Sequence, residues 1–149
     1  MSIEENPILK IQRFVFILEK HFDRELLENF DISFSQFRIM AMIEKCPGSS
    51  QKLIANMQDT TQAAVSRQIE ALARHGLVAL GTNSTNRKEH NLHLTHKGTV
   101  VFEGMIKHAN RLLNHTQNTL NKRQKVEFAA ISEALLEMVR KEYGIGAVY

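Results

Sequence analysis

Little in this chain of 149 residues suits catalysis, export or membrane insertion. It has one cysteine, Cys46, so no internal disulfide can form. A lone thiol without a signal-like leader points to a reducing cytosol. Glu4 and Glu5 stand where an export leader would be positive, and no apolar run approaches the ~18 residues of a membrane span. The expected location is the cytoplasm, with no membrane partner. No Ser-His-Asp order, carboxylate pair or phosphate-cradling loop appears, and Cys46 has no evident base, so no enzyme activity and no cofactor are expected. His90, His93 and His96 look like a metal tract. A spacing of three in a strand sends their side chains to opposite faces, so no metal site is expected. Internal repeats and low-complexity linkers are also missing, which leaves a single protomer over residues 1–149.

What is present is a basic middle. The formal charge of +3 permits a nucleic-acid partner without requiring one. Its distribution says more. Between Ser49 and Gly98 stand Lys52, Arg67, Arg74, Arg87, Lys88 and Lys97 against Asp59, Glu70 and Glu89, so this segment carries the whole excess. The flanking regions cancel.

Apolar spacing predicts mostly helix. Ile8, Ile11, Val15, Leu18 and Phe22 recur at three and four residues, widened by Phe14, Ile17 and Leu26, giving a first helix from Pro7 to near Asn29. Ser33 and Gln36 form a capping box for a second helix with Phe34, Phe37, Met40, Ala41 and Ile43 on its buried side, stopped by Pro47 and Gly48. Ser49 or Ser50 caps a third, with Leu53, Ile54 and Met57 inward. Thr60 or Thr61 caps a fourth, whose inward stripe is Val65, Ile69, Leu72 and Ala73 and whose end is Gly76. Two strands over 77–80 and 91–95 flank a Gly-, Asn-, Ser- and Thr-rich tip at 81–89. A long helix follows Thr95, the stretch 121–125 interrupts it, and a last helix ends before Gly144. The fold class is mainly α with a small β-hairpin wing: a winged helix-turn-helix between long terminal helices.

Two helices joined by a tight turn, the second starting with small polar residues, suit a DNA major groove. Gln62, Ala63, Ser66 and Arg67 lie opposite Val65 and Ile69 and therefore face outward. Gln can read adenine, Arg can read guanine or grip phosphate, and the helix starts at Ser50 and Thr61 offer amides to phosphates.

At this point the chain resembles the MarR family (multiple antibiotic resistance regulators), dimeric winged-helix transcription factors. The resemblance runs from ISFSQFRIMAMI at 32–43 to the last helix. AAVSRQIEALARHGLV at 63–78 is similar to the family's T-V-T-R…L…GLV helix, and NRKEHNLHLTHKG at 86–98 to its D-R-R…L-x-L-T-x-x-G wing. The resemblance implies groove-facing roles for Ala64, Ser66 and Arg67, with Arg87 as the wing-tip arginine and Lys88 beside it. Ala64 stands where the family often has Thr, and Asn86 where it has Asp; Gln58 and Thr60 occupy commonly apolar turn positions. The sensing cysteine of redox-responsive members lies in the first helix, whereas Cys46 ends the second.

The expected function is a homodimeric repressor of a pseudo-palindromic operator, relieved by a small-molecule effector. Residues 1–30 and 99–149 would dimerise and residues 31–98 would bind DNA. No motif assigns an effector site; the resemblance implies a pocket where the reading head meets the dimerising helices, with Arg13, His21 and His108 as candidate polar groups. The alternative is a winged-helix protein-interaction module that does not bind DNA. Arg87→Ala should weaken duplex binding and lower the slope of log affinity against log salt by about one unit per lost phosphate contact; a change in base preference at constant slope would place Arg87 on bases instead.

Overall fold

A computed structural model describes residues 5–82 and 90–143, in the order α1 (Pro7–Phe30), α2 (Phe34–Lys45), α3 (Gln51–Met57), α4 (Gln62–Arg74), β1 (Val78–Thr82), β2 (His90–Leu94), α5 (His96–Gln117) and α6 (Lys122–Tyr143). It comprises two compact units, residues 1–108 and 109–149. No helix among the described residues is long and apolar enough to cross a membrane.

The first unit holds every buried side chain of the described residues. α1 starts with Asn6, whose side chain accepts the Ile8 amide at 2.9 Å, and Pro7 takes the first helical position. It ends at Asp31 in the left-handed conformation. Asp23 of α1 then accepts the Phe34 amide at 2.7 Å, tying the start of α2 back onto α1. The capping box forms as expected: Ser33 accepts the Gln36 amide at 3.2 Å and Gln36 accepts the Ser33 amide at 2.9 Å. Phe22 meets Phe34 and Phe37 edge-on at 5.5 Å, and Phe37 stacks on Phe102 of α5 at 5.7 Å. Beneath these rings lie Leu26, Ile32, Ile39, Met40, Ile43, Ile54, Ile69, Leu72, Leu92 and Met105.

The strands pair antiparallel, Val78 opposite Leu94 and Leu80 opposite Leu92. Before α3, Gly48 donates to the Leu92 carbonyl at 2.9 Å, and Leu92 donates to the Ser49 carbonyl at 3.0 Å. This bridge gives β2 a second neighbour and fixes the α2–α3 connection to the wing.

Several expectations shift. The strands run 78–82 and 90–94 rather than 77–80 and 91–95: Leu77 and Thr95 serve the junctions with α4 and α5, and pairing extends further toward the tip, to Thr82 opposite His90. Of the expected α3 residues Ile54 is buried but Leu53 is 44 % exposed, and Ala55 is buried in its place. Ile39 and Met42, which the stripe assigned to α2 omitted, are buried, while Phe34 and Phe37 are half-buried. Ala73 and Met57 are also half-buried. On α1 only Phe22 and Leu26 of the apolar stripe are buried, whereas Ile8, Ile11, Phe14, Val15 and Ile17 are exposed. The second unit, including α6, buries nothing of its own: Val126, Phe128, Ile131, Leu136 and Met138 are exposed. The break before α6 falls at 118–121, earlier than expected, where Asn121 and Gln124 cap each other reciprocally.

At the junction of β2 and α5 the backbone of Gly98 lies against Leu77. A Cβ built on Gly98 would fall on the Leu77 carbonyl oxygen, 2.9 Å from its carbon. Ala ordinarily stabilises a helix over Gly by up to about 1 kcal/mol. Here Gly98→Ala should instead destabilise by about 1–3 kcal/mol through overpacking. Urea unfolding checks the sign, and a gain in stability would contradict the close approach.

Candidate nucleic-acid interface

α3 and α4 are joined by a turn whose chemistry is local. Ser50, not Ser49, caps α3 and accepts the Leu53 amide at 3.2 Å. Ser49 is instead buried in the bridge to Leu92. At the end of α3, Asp59 takes a left-handed φ of 48°. Thr60 then donates to the Ala55 carbonyl at 3.0 Å, closing the helix end as a Schellman turn does. Asp is among the few non-glycine residues that enter this region readily. Gln58 donates to the Met42 sulfur at 3.6 Å, so this polar turn residue is seated on α2 without an apolar side chain.

Thr61, not Thr60, caps α4 and accepts the Ala64 amide at 3.2 Å. Val65 is 1 % exposed, and Ile69 and Leu72 are fully enclosed. These three set the rotation of α4 about its own axis. Turning it by one residue, about 100°, would bring Glu70 inward in place of Ile69 and bury an unpaired carboxylate. The opposite face is therefore fixed outward. Thr61, Gln62, Ala63, Ala64 and Arg67 are exposed and Ser66 is half-buried. The first-turn amides of α4 lack helical acceptors and are oriented toward this entrance.

One contact on this face was not foreseen. The Ser66 hydroxyl donates to Glu70 at 3.2 Å, one turn further along. Spacing of four on a helix was a legible signal for it. It gives the basic face of Arg67 an acidic neighbour. Lys52 of α3 and Arg74 at the end of α4 add exposed cations. Arg87 and Lys88 lie outside the described residues.

The three polar groups considered for an effector do not converge. Arg13 lines a surface groove of about 450 Å³ with Leu9, Gln12, Val15, Phe16 and Glu19, all on α1. His21 is exposed, eight residues or about 12 Å further along α1. His108 of α5 is bonded to Glu25 at 2.9 Å, with its ring edge-on to Phe30. A second groove of about 300 Å³, between α1 and the start of α2, is lined by Phe16, Glu19, Lys20, Asp23, Phe34 and Ser35. Sequence reasoning had not singled out Lys20, which stands 5.7 Å over the Phe16 ring. Cys46 is half-buried at the end of α2. Among the described residues no group of three or more His, Cys, Asp or Glu side chains could hold a metal ion.

Residues 32–90, spanning α2, α3, α4 and β1, match the sequence model of the MarR family. Over this segment the chain is similar to the MarR family. Solved structures extend the likeness beyond that segment. The MarR crystal structure superposes with a TM-score of 0.81 at 17 % identity, covering 97 % of both chains. MepR, a transcription regulator of the Staphylococcus aureus multidrug efflux pump MepA, gives 0.78 at 18 % identity, covering 90 % of this chain and 98 % of its own. The transcriptional regulator BldR from Sulfolobus solfataricus gives 0.70 at 20 % identity, covering 92 % and 99 %. At such identities the likeness speaks for the fold, a mainly helical winged helix-turn-helix. No curated protein matches the chain in sequence.

The geometry of the MarR-type entrance depends on the cap. Thr61→Ala should lower folding stability by about 0.5–2 kcal/mol, and Thr61→Ser should retain most of it. Chemical denaturation of both variants measures this; an unchanged Thr61→Ala protein would contradict the cap.

Proposed function

We propose that the protein is a DNA-binding transcriptional regulator, a homodimeric repressor of a pseudo-palindromic operator. The observation that carries this reading is the outward face of α4. Its first two turns present small and polar side chains held in one orientation by the buried Val65, Ile69 and Leu72. Small residues such as Ala63 and Ala64 let a helix backbone approach base edges, where a bulky apolar face would suit a protein groove.

In this reading Gln62, Ala64, Ser66 and Arg67 face the bases. The amides at Ser50, Thr61 and Ala63 meet phosphate, and Arg87 and Lys88 follow the adjacent minor groove or backbone. Dimerisation accounts for the apolar side chains that α1 and α6 each leave exposed, which a second copy would cover. Two α4 helices would then meet successive major grooves about 34 Å apart. Residues 1–30 and 99–149 form the dimerising part and residues 31–98 the reading part. A small-molecule effector would act by favouring a spacing of the two reading heads that does not fit the operator. Nothing in this scheme calls for catalysis, and the expected location is the cytoplasm.

Electrophoretic shift with random duplex at low salt tests the reading first, because a DNA reader keeps weak nonspecific affinity. Lack of any shift would favour a protein-docking module. On a duplex selected by the protein, Arg67→Ala should cost about 1–3 kcal/mol. Unchanged affinity would remove Arg67 from the interface.

A further inference from the structure

α4 stops at Gly76, but the carbonyls just past its end are served from another element. Gly76, with a φ of 70°, turns the chain out of the helix, and Leu77 donates back to the Leu72 carbonyl at 2.9 Å. The carbonyls of His75, Gly76 and Leu77 lie beyond the helix and need donors from elsewhere. All three find them within one turn at the start of α5. Lys97 Nζ donates to the His75 carbonyl at 2.8 Å. The Thr95 hydroxyl donates to the Gly76 carbonyl at 2.6 Å. The Thr95 amide donates to the Leu77 carbonyl at 3.0 Å.

The same Thr95 hydroxyl accepts the Gly98 amide at 2.9 Å and so caps α5. A hydroxyl can donate and accept at once, so one atom closes both helix ends. Gly98 completes the contact, because any Cβ there would strike the Leu77 carbonyl. The charges agree: the negative end of α4 meets both the positive end of α5 and the Lys97 ammonium.

We propose that Thr95, Lys97 and Gly98 are positioning residues that clasp the end of α4 to the start of α5, so that the outward face of α4 turns with α5 as one body. This rests on the reading of α4 as the DNA-reading helix. The lever is long. Gln62 lies thirteen residues, about 20 Å, from the clasped end. A tilt of about 10° there would move it about 3.5 Å, roughly one base-pair step. The clasp thus decides whether movement of α5 reaches the bases or is lost at the joint.

Three variants of the full chain separate the clasp from the cap. Thr95→Ser keeps donor and acceptor, Thr95→Asp keeps only the acceptor that caps α5, and Lys97→Met removes only the bond to His75. Hydrogen exchange without DNA is the first readout. Thr95→Asp and Lys97→Met should speed exchange of the Gly76 and Leu77 amides roughly three- to tenfold while the Gly98 amide stays protected; Thr95→Ser should match the wild type. Unchanged exchange at Gly76 and Leu77, or a Thr95→Ser protein no better than Thr95→Asp, would overturn the clasp.

The second readout is the ratio of affinities for a duplex the wild type selects from a random pool and for unselected duplex. Each variant's altered charge acts on both duplexes, so it largely cancels in the ratio. The ratio should fall roughly three- to tenfold in Thr95→Asp and Lys97→Met and recover in Thr95→Ser. Equal losses on both duplexes would refute the positioning role. If the wild type bound no duplex at all, the functional reading would fail, and the exchange data would still decide whether α4 and α5 move as one body.

Discussion

Three side chains, Val65, Ile69 and Leu72, decide what the rest of the chain can do. Each is enclosed, and burying each contributes about 1.5–3 kcal/mol. Together they hold α4 at one rotation about its axis against a core drawn from α1, α2, α3, the wing and α5. Everything on the far side of the helix is outward because these three are inward. Thr61 and Gln58 settle where α4 begins, and the carbonyls of His75, Gly76 and Leu77 settle how it ends. The proposed reading role needs this fixation, because contacts with a duplex depend on side chains held to within a fraction of a base-pair step.

How much of this was legible in the sequence follows from the range of each interaction. The Ser33–Gln36 capping box, the Thr61 cap and the α4 stripe are written within one or two turns, and local spacing suffices to read them. The outward placement of Ala63 and Arg67 came with the stripe, as its complement, whereas Ala64 came from the family resemblance, Ser66 is half-buried, and Gln62, on the stripe's own face, is exposed as the first residue of the helix. Leu53 was misread because α3 has two turns only: neighbouring Ile54 and Ala55 fill the space, and a seven-residue helix gives periodicity too few repeats to choose. The strand limits moved by one or two residues at each end, while the expected pairing of Leu77 with Thr95 persists as a backbone bond just outside the strands.

The clasp was hidden by sequence distance. Lys97 and His75 are 22 residues apart and meet through a backbone carbonyl, which any residue carries. Only Gly98 hinted at it, as a glycine near the start of an otherwise strong helix. The apolar stripe of α1 was legible as a stripe but not in its use. The same 3.6-residue pattern serves a face packed in its own core and a face meant for another chain. Phe22 and Leu26 belong to the first kind, and Ile8, Phe14, Val15 and Ile17 remain exposed in the isolated chain. Arg13, His21 and His108 share no sequence motif that would bring them together. His108 is already engaged by Glu25, while the grooves gather Phe16, Glu19, Lys20 and Phe34, residues whose proximity depends on the turn between α1 and α2.

The most direct measurement is a backbone amide shift map of the protein titrated with duplex DNA. The account predicts saturable shifts concentrated at Thr61, Gln62, Ala63, Ala64, Ser66 and Arg67, with α6 little affected. Shifts that leave these six amides in place and fall elsewhere on the surface would contradict it.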